Sequence, residues 1–200
     1  MTSPTLPQAE AALVAEHYSA AHVILEYGSG GSTRLAAQLD GKFVVSVESD
    51  RDWAIALQKE LDVEKLPSPA IVYHVDIGET GAWGRPIDDS NWQQYYRYPT
   101  AVWEEAFFRH PDAVLIDGRF RMACFATLCL RITKHVTVLF DDYTNRPRYQ
   151  VVEDLISPTE IVGRMARFEL HPDCVSKEMI PRLIGMFFDV TYAADHVDYS

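Results

Sequence analysis

Several apolar runs in this sequence end in an acid, and the first also runs into a glycine-rich turn. Val23-Ile24-Leu25-Glu26 continues as Tyr27-Gly28-Ser29-Gly30-Gly31-Ser32-Thr33, and a second run, Phe43 to Val47, ends at Glu48. Glycines at 28 and 30 permit positive φ and let a ligand approach the backbone closely. The free N–H groups at the start of the following helix then face that ligand. A carboxylate at the tip of the second run, where Glu48 stands, can accept both hydroxyls of a ribose. Run, glycine turn, helix, run, acid is the arrangement that holds nucleoside cofactors in doubly wound sheets. Competing readings are an ordinary tight turn at Gly28 and Gly30, and a solvated or helix-capping acid at Glu48. The turn reads G-x-G-G-S, so the third glycine of a dinucleotide fingerprint falls on Thr33. Glu26, just ahead of the glycines, suits a ligand carrying an ammonium and a sulfonium and repels a pyrophosphate.

The elements that must position these residues alternate. A helical lead-in spans about 8–21, with Leu13, Val14 and Tyr18 on one stripe. Strands are expected at His22–Glu26, Phe43–Val47, Ala70–Val75, Asp112–Ile116 and Val136–Phe140. Helices are expected at Ser32–Leu39, Arg51–Leu61, Arg121–Ile132 and Tyr149–Leu155, and two late strands at Met165–Leu170 and Ile184–Val190. The late pair reads as a hairpin, because His171 to Leu183 has no helical pattern and holds two prolines. The fold class is therefore α/β: one Rossmann-like, doubly wound, seven-stranded sheet, mostly parallel, with one antiparallel strand near the C-terminus. An aromatic-rich insertion at about 78–98 carries Trp83, Trp92, Tyr95, Tyr96 and Tyr98 without a regular period.

Length and composition agree with one domain over 1–200: the chain has 200 residues, of which 48% are hydrophobic, enough for a sizeable core. The net charge of −11 repels phosphate backbones and anionic lipid, so neither nucleic acid nor a membrane is the expected partner. Cys124, Cys129 and Cys174 form no C-x-x-C and read as reduced thiols. With no signal-peptide pattern and no apolar run of membrane-helix length, the expected location is the cytoplasm. The histidines lack zinc spacing, and no G-x-S-x-G elbow is present.

The chain resembles the class I S-adenosylmethionine-dependent methyltransferases. The resemblance rests on Glu26 to Ser32, Val45-Ser46-Val47-Glu48-Ser49-Asp50, His74-Val75-Asp76-Ile77-Gly78 and Val114-Leu115-Ile116-Asp117-Gly118, within roughly Val23 to Asp142. The first segment matches the family's E/D-x-G-x-G turn, with Ser32 in place of its usual third glycine. The resemblance implies strand order 3-2-1-4-5-7-6 and S-adenosylmethionine as cofactor. It implies cofactor contacts from Glu26, Gly28, Ser29, Gly30 and Ser32, ribose contacts at Glu48 with Ser49 beside it, and adenine contacts at Asp76 and Ile77. Asp117 and Gly118 would face the methyl group.

The acceptor side is read from the sheet's carboxyl edge. Asp117, Asp142 and Tyr143 are the candidate catalytic residues, facing a small-molecule acceptor. Acids converging there invite magnesium, with Asp117 and Asp141 as ligands; catechol-type relatives hold a metal with such acids. The competing reading has Asp117 and Asp142 capping helices or pairing with Arg119, Arg121 or Arg146. The same arginines, with Arg148, Tyr143 and Tyr149, suit an acidic acceptor. The aromatic insertion covers the acceptor, packs as local core or makes a homodimer contact. Two rival readings stand beside methyl transfer: an NAD-dependent oxidoreductase, and a non-catalytic S-adenosylmethionine-binding protein.

Overall fold

The computed structural model describes residues 6–195, so the ends of the expected 1–200 domain lie outside the described residues. Seven strands form one sheet: β1 (Val23–Tyr27), β2 (Phe43–Glu48), β3 (Ala70–His74), β4 (Ala113–Ile116), β5 (Val136–Phe140), β6 (Glu160–Val162) and β7 (Met165–Leu170). Their order is β3-β2-β1-β4-β5-β7-β6, the order the family resemblance implies. Strands β1 to β5 are parallel, and β7 runs antiparallel to both β5 and β6. Helices α1 (Gln8–Ala20), α2 (Gly31–Gln38), α3 (Arg51–Glu64), α4 (Arg97–Thr100), α5 (Arg121–Arg131) and α6 (Ile180–Met186) complete the fold.

The central strands read as unbroken apolar runs because both faces of the sheet are covered. Side chains alternate between two cores. Ile24, Val44, Leu115 and Leu139 pack with Leu13, Val14 and Tyr18 of α1. Leu25, Val45, Val114 and Phe140 pack on the other face with α5, Tyr98 and Trp103.

That alternation corrects the reading of Glu26. It shares a face with Ile24, so its carboxylate turns toward α1, not out of the strand tip. Glu26 is fully buried. Tyr18 Oη donates to it at 2.7 Å and Thr33 Oγ1 at 2.5 Å, and Ser46, its register partner on β2, donates as well. Burial pushes the Glu26 carboxyl up while these hydroxyls, with Ser32, pull it back. One side chain thus ties α1, β1, α2 and β2 together beneath the glycine turn.

The turn itself is set by Gly28, with φ of +106°. Gly28 N–H donates to Val47 O at 2.9 Å, and the N–H groups of Asp117 and Gly118 both reach Tyr27 O, at 3.0 and 2.5 Å. A Cβ on Gly28 would lie 2.6 Å from Gly118 N, so the β1 and β4 turns touch backbone to backbone. At Gly30 the chain is extended, with φ of 167°, and a Cβ there would meet open space. Positive φ is therefore needed at one of the two glycines only.

No strand forms at Ile184–Val190: beyond Met186 it is turn and irregular chain, and its first three residues end the helix α6 (Ile180–Met186). Pro181 sits in its first turn, where the missing N–H costs nothing. Leu183 and Met186, one turn apart, bury against the core while Ile184 is exposed. The hairpin partner of β7 is β6, three residues long with Glu160 and Ile161 exposed, which leaves no hydrophobic alternation to read. The 147–154 helix is of the tighter 3₁₀ type. Within the insertion, Tyr95 and Tyr98 are core residues, whereas Trp83, Trp92 and Tyr96 are exposed.

Two substitutions test this frame. Gly28→Ala adds backbone strain and a steric overlap, together about 2–5 kcal/mol, and should lower the melting temperature by several degrees; an unchanged melt would refute the contact. Glu26→Ala removes the acceptor shared by three buried hydroxyls and should cost about 3–5 kcal/mol in denaturant titration, with Glu26→Gln recovering part of the loss.

Candidate active site

A cavity of about 650 Å³ opens at the carboxyl ends of β1, β2, β4 and β5. This is the edge where open α/β sheets bind ligands, and the volume suits a small molecule. One wall is the turn from Gly28 to Ser32. Glu48, 8% exposed, forms the next part of the wall. Its Oε2 accepts Ser29 Oγ at 2.8 Å and Ser29 N–H at 3.3 Å; its Oε1 accepts the N–H groups of Ser49 and Asp50 at 2.7 and 3.0 Å. Trp53, from the first turn of α3, places its indole N–H 3.2 Å from both Ser29 O and Oγ.

The insertion comes down over Glu48. Gly84 has φ of +68°, and a Cβ there would stand 2.7 Å from Ser49 Oγ and 3.1 Å from Glu48 Oε1. Ser49 Oγ donates to Gly84 O at 2.7 Å. The neighbouring Trp83 is a non-glycine residue at φ of +63°, largely exposed, and lines the cavity. A bulky side chain held in the left-handed region marks a conformation the surroundings impose.

The deep end carries charge. Asp141 is fully buried, and both its carboxylate oxygens are taken by Arg164, at 2.9 and 2.8 Å. Asp142 lies within 3.2 Å of Arg121, 3.1 Å of Arg146 and 3.3 Å of Arg164. Arg121 also reaches Asp117 at 3.0 Å and donates to Asp141 O at 2.6 Å. Arg164 is placed by α1: its N–H donates to the buried Glu10 carboxylate at 2.9 Å. Burial pushes the Asp117 carboxyl up to about 7; Arg121 opposes this, and neighbouring Asp141 and Asp142 add to it. Asp141 is held below its usual range because Arg164 and Arg121 outweigh its burial.

The sequence-based candidates thus divide. Gly28, Ser29, Gly30, Ser32, Glu48, Asp117, Asp141 and Asp142 converge on one cavity. Glu26 lies beneath its floor, satisfied by hydroxyls. Ser49 is buried behind Glu48. Asp76 is exposed and caps its own turn through Gly78 N–H at 2.9 Å, and Ile77 points into the core, so neither reaches the cavity wall. Tyr143 is also a core residue: its ring packs on Phe140 and Phe168, and its hydroxyl donates to Glu153 at 2.7 Å. The acids that suggested magnesium are matched by guanidinium groups, and no cluster of three metal-ligating side chains exists among the described residues. Trp53, Arg85 and Arg164 were missed; none belongs to a motif, and only the tertiary fold brings them to the cleft.

No protein-family model matches the sequence, and neither does any curated protein. Solved structures do. A methyltransferase-like protein from Silicibacter pomeroyi is 45% identical, with a TM-score of 0.86, over 93% of this chain and 97% of that one. A methyltransferase from Geobacter sulfurreducens shares the fold at 12% identity, with a TM-score of 0.54, over 84% of this chain and 82% of that one. The strand order with its reversed β7, the glycine turn against Glu48 and the 45% identity across nearly the whole length agree: the chain belongs to the class I S-adenosylmethionine-dependent methyltransferases.

Proposed function

We propose that this protein transfers a methyl group from S-adenosylmethionine to a small-molecule acceptor. The observation that carries the reading is the Glu48 carboxylate at the tip of β2, facing the cavity beside the Gly28–Ser32 turn. In this reading the ribose hydroxyls take Oε2 of Glu48 from the Ser29 hydroxyl. Trp53 and Trp83 would hold the base, and the Gly28–Ser32 turn with Asp117 would hold the methionyl part. The pocket has space over Gly30 for that approach.

The cofactor supplies a methyl group activated on a sulfonium. The chain's task is to align the acceptor and to receive the proton it loses. Asp117, with its carboxyl near 7, is suited to receive that proton at neutral pH, and Asp142 with its three arginines holds the surrounding wall.

Glu48→Gln should lower the affinity for S-adenosylhomocysteine about 10-fold or more in calorimetry, since a charged hydrogen bond is worth about 1.5–3 kcal/mol. Unaltered affinity in a folded variant would remove the ribose assignment.

Asp117 makes a separate prediction for stability. Its folded value lies above the unfolded one, so the folded protein keeps a proton that the unfolded chain gives up between about pH 4 and 7. That advantage is present at low pH and is lost as pH rises through 7. Asp117→Asn, neutral throughout, should gain in melting temperature over the native protein between pH 5.5 and 8; a constant gap across that range would contradict the shift.

A further inference from the structure

The arginine end of the cleft is not electrically balanced. Arg121, Arg146 and Arg164 account for the ion pairs made by Asp117, Asp141 and Asp142. Two further arginines, Arg85 and Arg119, line the same cavity, and no ion pair to either is found among the described residues. The Nε of each is buried without a hydrogen-bond partner. Arg85 is only 4% exposed. Burial lowers its guanidinium to about 10, with Arg119, Arg146 and Arg121 repelling it. Burial and the adjacent Arg121 lower Arg119 in the same direction. Glu48 forms no ion pair with Arg85; its oxygens accept from Ser29, Ser49 and Asp50.

A buried cation without a partner is costly unless an anion completes it. Two planar guanidinium forks converging on one space match a carboxylate or a phosphate group. The cost is carried in a protein whose net charge of −11 repels anions at long range. Such a field opposes a polyanion and leaves short-range recognition of a single anionic group intact.

We propose that Arg85 and Arg119 form the subsite for the anionic group of the methyl acceptor, so that the acceptor is a small carboxylate or phosphate. This rests on the reading that methyl transfer takes place in this cleft. The same chemistry has a second source, the carboxylate of the cofactor itself, and the test separates the two.

The full-length protein is titrated calorimetrically with inorganic phosphate and with S-adenosylhomocysteine, as native protein and as Arg85→Met and Arg119→Gln. The expected result is phosphate binding with S-adenosylhomocysteine already bound, weakened about 10-fold or more in each variant, while affinity for S-adenosylhomocysteine stays at the native value. Equal phosphate affinity in all three proteins overturns the proposal. Parallel loss of S-adenosylhomocysteine affinity assigns the arginines to the cofactor and overturns it too. Failure of the native protein to bind S-adenosylhomocysteine, with arginine-dependent phosphate binding retained, defeats the methyl-transfer reading and leaves an anion site in its place. The melting temperature is a further check: in phosphate-free buffer Arg85→Met should match or exceed the native value, whereas a clear drop would make Arg85 a packing residue and sink the proposal.

Discussion

The buried carboxylate of Glu26 is the constraint on which the cleft depends. A charged or proton-sharing group with no water is tolerated only when its oxygens are satisfied, and here hydroxyls from α1, α2 and β2 satisfy them. Three elements are thereby fixed against β1 at the level where the chain must turn. Directly above, the Gly28 backbone rests on that of Gly118, so the β1 and β4 turns are in direct main-chain contact. The mouth of the pocket is thus shaped by main chain, and the side chains that line it stand on a rigid base.

Charge is distributed unevenly over that base. The Glu48 end presents a carboxylate engaged by hydroxyl and amide donors, whereas the other end is an alternation of aspartates and arginines. The hairpin of β6 and β7 contributes to the second end through Arg164, and α1 contributes through Glu10, which orients that residue's backbone. Elements peripheral to the sheet therefore determine the electrostatics at its centre. Five arginines and five acids line the cavity, and among the described residues Arg85 and Arg119 are the arginines of that lining with no ion pair.

Much of this was legible in the amino-acid order. The five parallel strands announced themselves as apolar runs, and the Gly28 turn with Glu48 carried the site. What misled was the side chain at the end of a strand. Glu26 looks like a tip residue, yet the two-residue period turns it toward α1, and Tyr18 and Ser46 can be recognised as its partners only once the register with β2 is known. Tyr143 follows two aspartates that reach the cleft but is drawn into the core by Phe140 and Phe168. The late helix was hidden because Leu183 and Met186 sit amid exposed apolar neighbours that mimic a strand. Arg85 carries no local signal, since its isolation is a property of what fails to surround it.

The descent of the insertion onto β2 has one more result. Gly84 is pressed against Glu48 and Ser49, and the next residue along the chain is Arg85. The insertion therefore meets the strand-tip acid through bare backbone at position 84, and the side chain of the next residue lines the same cavity. The two ends of the cleft thus share one short stretch of main chain, and the absence of a β-carbon at position 84 is what lets that stretch lie so near the acid.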